Sequence, residues 1–303
     1  EGLAESGHAA SLPFLMKLLE NEDLTLAFIA AQGMARFDAE RIRPLLRDAR
    51  TLYRSARGCS RQCSPADYEA GRLLLLAGSP EDAALVGLII ESRSFRWDLT
   101  FLRESVKRHG PERFLSAWAR LRTDRYPDAE WFEGMDVGPT CLRILQRGNA
   151  SWAERDVALY LLGVTSDLSS AECRAACEIV RASLSDPDLA ELAAGFLGAA
   201  GCREASPEIA AAFGAHPSED LALGWIELDP DRAGRAILGR IDGTSKGWHP
   251  NLGAYLLGKV PGEEAGQWLI GMLKRGENGT DHAAALARRN PKGMRDALHE
   301  YLR

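Results

Sequence analysis

The sequence predicts an all-α chain, built as an α-solenoid of stacked antiparallel helix pairs. Three observations carry this. Apolar residues recur at helical spacing along the chain, and no segment alternates apolar with polar as a half-buried strand would. Prolines fall where helices would begin, at Pro44, Pro65, Pro80, Pro111, Pro187 and Pro207, positions at which a missing N–H costs nothing. The C-terminal part repeats at intervals of 29, 29 and 32 residues, and a unit of that size can bury its apolar face only by stacking on a neighbour.

Composition sets the bounds. The chain has 303 residues, 46% apolar and 26% charged, with 37 basic against 43 acidic residues. Apolar content is ample for a folded core, which excludes disorder as a global description. A net charge of -6 excludes a general nucleic-acid coat, so any anion site must be local. No run of 18 or more apolar residues is present, which predicts no membrane span. Six cysteines are few for a disulfide scaffold in a chain this long. Cys141, Cys173 and Cys177 lie in helix-like apolar stretches and read as reduced, buried thiols. The pairs Cys59/Cys63 and Cys173/Cys177 are each one helical turn apart, a poor match to the C-x2-C pairs of structural zinc. The first ten residues carry Glu1 and Glu5 and no basic stretch, unlike a secretory leader. The expected setting is cytoplasmic. The start at Glu1 rather than Met is compatible with removal of an upstream segment.

Helices can be placed in order. Residues 42–61, IRPLLRDARTLYRSARGCSR, open with Pro44 at a first helical position and reach Gly58 as a C-terminal cap. At about 100° per residue, Leu45, Ala49, Leu52 and Ala56 share one face, with Arg47, Arg50, Arg54 and Arg57 opposite. Arg43 and Arg61 extend that spacing at either end. Ser64-Pro65, Ser79-Pro80 and Ser206-Pro207 each join a capping hydroxyl to a proline at the first helical position. Residues 93–125 hold nine basic residues, among them Arg96, Arg103, Lys107, Arg113, Arg120 and Arg122, against four acids. Aromatics interleave with them. Phe114/Trp118 and Trp97/Phe101 are each four apart, a spacing that favours a buried helix face and leaves an exposed stacking surface as the alternative. The acidic stretch DAEWFEGMD (128–136) lacks the spacing and glycine of a calcium loop and reads as a solvated insertion.

From residue 185 the repeat becomes regular. SDPDLAELAAGFLGAAG (185–201), HPSEDLALGWIELDP (216–230), WHPNLGAYLLGKVP (248–261) and GTDHAAALARRNP (279–291) each open on a polar or proline turn. Each carries a small residue at mid-helix: Gly195, Gly224, Gly253 and Ala285. Glycine there costs about 1 kcal/mol against alanine, a cost offset where it lets a neighbouring helix approach closely. Some eighteen short helices are expected in all. They form a single solenoid over 1–303. Its N-terminal half, 1–165, is less regular and more basic; its C-terminal half, 166–303, is regular and acidic. Up to residue 125 there are 19 basic and 17 acidic residues; from 126 onward there are 18 and 26.

The segment SDPDLAELAAGFLGAAG resembles the second helix of a HEAT or HEAT-like (PBS-lyase-type) repeat, as does NEDLTLAFIAAQGMARF (21–37) with its acidic turn before the helix. The resemblance covers roughly 185–303 and 8–37 and blurs between 40 and 165. It implies an architecture rather than an activity. RWDLTF (96–101) looks like the Trp-Asp-x-x-Asp motif of the HEAT-like alkylpurine DNA glycosylases, with Trp97 matching its tryptophan. Phe101 replaces the acid that is catalytic in that family, so the resemblance does not extend to the reaction.

No complete catalytic constellation appears. GTSKG (243–247) matches a nucleophile elbow but follows a helical stretch rather than a strand. No Gly-rich phosphate loop, no H-E-x-x-H and no cofactor-binding fingerprint is present. The six histidines are scattered, unlike the His-Glu pairs of HEAT-like di-iron hydroxylases. The expected function is therefore non-enzymatic: a scaffold or adaptor that binds another protein, one with an acidic surface. The expected contact residues are Arg43, Arg47, Arg50, Arg54, Arg57, Arg61, Arg96, Trp97, Arg103 and Lys107. Arginine suits this because its planar fork grips carboxylate or phosphate at two points. A non-catalytic nucleic-acid binder using the same cations is the alternative. No cofactor, no metal and no membrane partner is expected.

Overall fold

The structure is a computed structural model that describes residues 9–56, 64–93, 99–165, 170–242, 250–261 and 263–274, with isolated positions at 168, 284, 285 and 299. Among the described residues it is all-helical: sixteen α-helices, four short 3-10 segments and no strand. None of these helices is long and apolar enough to cross a membrane. The chain divides into two compact units, Glu1–Asp167 and Leu168–Arg303.

The first unit holds α1 (Leu12–Leu19), α2 (Leu24–Met34), α3 (Arg43–Ala56), α4 (Pro65–Ala77), α5 (Pro80–Arg93), α6 (Leu99–His109), α7 (Pro111–Arg120), α8 (Val137–Gln146) and α9 (Trp152–Val164). Side-chain caps start several of these helices. Asp23 accepts from the Thr25 N–H ahead of α2. Ser64 with Asp67 and Ser151 with Glu154 form reciprocal capping boxes at α4 and α9, each satisfying two otherwise orphaned backbone donors. Gly110, at a φ of 85° that disfavours side chains, breaks α6 from α7. Packing is local: α2 rests on α1 and α4, α4 also on α3, α5 and α6, α5 on α6 and α7, and α9 on α7 and α8.

The core of this unit is aromatic where α7 meets the 3-10 segment Ala129–Phe132. Phe114, Trp118, Trp131 and Phe132 are buried with ring centroids 5.3 to 6.3 Å apart. Trp118 donates its indole N–H to the Arg125 carbonyl at 3.0 Å, so the polar handle of a buried ring is satisfied. Trp131 and Phe132 anchor the DAEWFEGMD stretch in the core, while its acids Asp128, Glu130, Glu133 and Asp136 are exposed, as a solvated insertion implies.

The second unit holds α10 (Ser170–Arg181), α11 (Ala190–Ala199), α12 (Ser206–Ala215), α13 (Glu219–Leu228), α14 (Pro230–Asp242), α15 (Pro250–Leu257) and α16 (Glu263–Lys274). Again each helix packs on neighbours one or two places along the chain, most extensively α11 on α13. That contact is a backbone approach. A Cβ at Gly224 would stand 2.3 Å from the Ala194 carbonyl oxygen, and one at Gly198 would stand 2.8 Å from the Gly224 carbonyl oxygen. Gly224 therefore does what its mid-helix position predicts. Gly195 does not: nothing lies within 4 Å of a Cβ built there. The approach on α11 is made one turn later, at Gly198.

The cysteine expectation needs correction. Cys177 on α10 is bonded to Cys202, with Cα atoms 5.8 Å apart; among the described residues Cys141 is a buried free thiol and Cys173 is free and half-buried. The partner of Cys177 comes from the loop after α11, 25 residues on, where no local spacing marks it. Cys59, Cys63, GTSKG and nearly all of 275–303 lie outside the described residues.

Two stability outcomes follow. Gly224→Ala is expected to lower stability by about 1–2 kcal/mol through overpacking, whereas Gly195→Ala should raise it by up to about 1 kcal/mol through helix propensity, read as opposite shifts of the urea midpoint. Cys202→Ser opens a closure of 25 residues and should cost about 3 kcal/mol, a loss that reductant reproduces in the unmodified chain and does not deepen in the variant.

Candidate functional site

The expected contact residues separate into three groups. Arg47 and Arg54 stand exposed on α3. Arg43 is exposed and pairs with Glu40 at 2.5 Å. Lys107 is exposed on α6. Arg50 instead turns inward: its Nε and Nη2 grip both carboxylate oxygens of Asp82 at 2.7 Å each. Asp82, with a side chain 6% exposed, also accepts from the Ser79 N–H at 2.8 Å at the start of α5. Arg103 likewise acts within the chain, donating to the Glu130 carbonyl at 2.9 Å and pairing with Glu133 at 2.7 Å. Arg57, Arg61, Arg96 and Trp97 lie outside the described residues. The α3 surface retains only a shallow depression of about 520 Å3 lined by Arg43, Arg47 and Arg50.

A better-formed site lies on α7, α8 and α9. On α7, Arg113, Ser116 and Arg120 fall at i, i+3 and i+7 and share one face, while Phe114, Leu115 and Trp118 fill the core on the other. Arg143 on α8 and Arg147 just beyond it repeat that spacing. Together with His109 at the end of α6 and Glu81 at the start of α5, these residues line a cleft of about 690 Å3. A second cleft of about 850 Å3 opens beside it, lined by Arg120, Arg122, Tyr126, Trp152 and Asp156. Arg120 lines both.

The arginines of the first cleft meet carboxylates. Arg120 pairs with Glu81 at 2.8 Å, Arg147 with Glu112 at 3.0 Å and with Glu154 at 3.3 Å, and Arg143 stands 3.8 Å from Glu112. Glu154 is the hub: it accepts from the Ser116 hydroxyl at 2.5 Å and from the Ser151 N–H at 2.9 Å. Burial pushes its carboxyl up, but the hydroxyl of Ser116, the N–H and hydroxyl of Ser151 and the charge of Arg147 hold it below the usual value. Glu81 is also depressed, first by its own backbone N–H at the helix start. His109 is lowered by burial and then by Arg108, so at neutral pH it adds no charge and the positive potential comes from arginine alone.

The second cleft behaves oppositely. Tyr126 donates to Asp156 Oδ1 at 3.1 Å and its ring stacks on Tyr160 with centroids 4.0 Å apart. Burial raises the Asp156 carboxyl, and the Tyr126 hydrogen bond only partly opposes this. Burial, then the charge of Asp156, pushes the Tyr126 hydroxyl up to about 12. Trp152, 50% exposed, sits one turn before Asp156.

Arg113, Arg120 and Arg122 belong to the basic segment singled out in the sequence. Arg143, Arg147, Trp152 and Asp156 were not foreseen. They join the site only because α8 and α9 fold back on α7, and no local motif marks that. Among the described residues no group of His, Cys, Asp or Glu is arranged to hold a metal ion. Comparison with known proteins assigns no family: no family model, no curated protein and no solved structure matches the chain.

The two carboxylates of α9 give opposite pH behaviour. Glu154, depressed in the fold, contributes stability that is present above its unfolded value and lost as pH falls through its folded value. Glu154→Gln should therefore cost about 1–3 kcal/mol at pH 7 and much less near pH 3. Asp156 is raised in the fold, so its ionisation weakens the fold as pH rises through that value. Asp156→Asn should be neutral or stabilising at pH 7 and without that gain near pH 3, both checked by urea unfolding at the two pH values.

Proposed function

We propose that this chain is a non-catalytic, protein-binding adaptor of helical-repeat, HEAT-like type, which takes an acidic segment of its partner along the arginine cleft of α7 and α8. The carrying observation is the convergence of Arg113, Arg120, Arg143 and Arg147 from two elements onto one cleft. Helices that pack on near neighbours along the chain support the repeat reading, since such arrays present broad surfaces to partners. Arg, Trp and Tyr at the cleft are the residue types that anchor protein interfaces. Exposed Phe14, Met16, Leu24 and Leu26 on α1 and α2 add apolar surface suited to a protein.

Nucleic acid is the weaker reading. Glu81 and Glu112 line the same cleft and would face a phosphate backbone. The aromatics Phe114, Trp118, Trp131 and Phe132, the candidate stacking platforms, are core residues. In its favour stand Arg47 and Arg54, exposed on α3.

Fluorescence anisotropy with a labelled glutamate-rich decapeptide and a labelled single-stranded oligonucleotide, at low and physiological salt, separates the readings. The peptide is expected to bind, and Arg113→Glu with Arg143→Glu to weaken it at least about tenfold, or roughly 1.4 kcal/mol. Arg47→Glu with Arg54→Glu should leave it unchanged. Tighter binding of the oligonucleotide, with a steep salt dependence, would replace the protein reading.

A further inference from the structure

We propose that the second cleft, between α7 and the start of α9, is a receptor for one basic side chain of the partner, an arginine or lysine adjoining its acidic segment. This deepens the protein-binding reading and rests on it.

The argument begins with an unanswered charge. The Asp156 carboxylate lines a cleft of about 850 Å3 and accepts one hydrogen bond, from Tyr126. No ion pair to it exists among the described residues, and neither Arg120 nor Arg122 contributes to its titration. A half-buried carboxylate without a cation is costly; a partner's ammonium or guanidinium would relieve that cost. The carboxylate is also held in place. Tyr126 is fixed by its stack on Tyr160, 11° from parallel, so its hydroxyl pins one oxygen and leaves the other lone pairs to an occupant.

Trp152 supplies the second element. It is the first residue of α9, four before Asp156, and i,i+4 residues share one helix face. Its half-exposed ring lines the same cleft. An aromatic face next to a carboxylate suits a cation, which gains attraction from the ring and a charge-assisted hydrogen bond from the acid.

Charge around the rim sets the direction of the partner. Arg120 is held by Glu81 at 2.8 Å. Arg122 is accompanied on the rim by Asp124, so an anion entering here would meet both Asp124 and Asp156. Because Arg120 also lines the arginine cleft, an extended segment with its basic residue on Asp156 would carry its acidic residues toward Arg113 and Arg143.

The test follows the Trp152 indole N–H resonance, assigned by its loss in Trp152→Phe, during titration with Nα-acetyl-arginine amide, Nα-acetyl-lysine amide, neutral Nα-acetyl-norleucine amide and Nα-acetyl-glutamate amide. The two basic probes should give saturable shifts and the others none. Asp156→Asn, with its fold checked by circular dichroism, should weaken the basic probes at least about tenfold. Equal shifts from norleucine, a saturable shift from glutamate, or unchanged binding in Asp156→Asn would each overturn the proposal. The variant carrying Arg113→Glu and Arg143→Glu should still bind the arginine probe. Failure of the acidic-peptide experiment and failure of this one are thereby distinguishable.

Discussion

One carboxylate joins the helices that form the clefts. Glu154 closes the capping box of α9, accepts the Ser116 hydroxyl of α7 and receives Arg147 from beyond α8. Three successive elements thus converge on two oxygens. Each bond is a modest net contribution in isolation. Together they set where α7, α8 and α9 face one another, and so where Arg113, Arg120 and Arg143 point. Were Glu154 only a cap, the arginine cleft would have no common reference.

Asp82 repeats the device in another part of the same unit. It sits three residues after Ser79, as Glu154 does after Ser151, and returns a hydrogen bond to the serine N–H. Arg50 then reaches it from α3 with two of its guanidinium nitrogens, Nε and Nη2. An acid at the third helical position is already favoured by the helix start, so an arginine from a neighbouring helix finds a preorganised partner. The fork of Arg50 suits an anion, as its sequence position suggested; the anion belongs to the chain. That is the physical reason the cationic face of α3 is thinner than its arginine spacing implies.

This marks how far the sequence could be read. The helix starts at Ser64-Pro65 and Ser79-Pro80 were legible, because a Ser-Pro pattern acts within a single turn; Ser206 instead lies inside its helix, with its hydroxyl on Trp225 and Asp229, and the helix after Pro187 begins only at Ala190. The burial of Phe114 and Trp118 was legible for the same reason: i,i+4 spacing is a property of one helix. Pairings between helices were not. The bond of Cys177 to Cys202, the grip of Arg50 on Asp82 and the arrival of Arg143 and Arg147 opposite α7 all depend on how successive helices fold back, and periodicity does not encode that. Gly195 and Gly198 show the margin involved. Both are glycines on α11, three residues apart, and only the turn that faces α13 decides which one the crossing requires. The first unit was harder to read than the second because its packing is fixed by polar contacts and a non-repeating aromatic cluster rather than by a recurring small residue.

The two acids of α9 stand in opposite electrostatic settings within half a turn. Glu154 is surrounded by donors and held ionised; Asp156, two residues on, is half-buried with one donor and is pushed toward its neutral form. Helix geometry turns them about 200° apart, so one faces α7 and α8 while the other faces the second cleft. A chain optimised only to fold would place an apolar or amide side chain at 156. A carboxylate where burial opposes its charge costs stability, a cost that a bound cation would offset under the proposed reading. The same contrast distinguishes the two clefts: in the first, the arginines already meet internal acids, so under the proposed reading an incoming acid would compete for them; in the second, no ion pair to Asp156 is made among the described residues, so an incoming cation would meet no internal competitor.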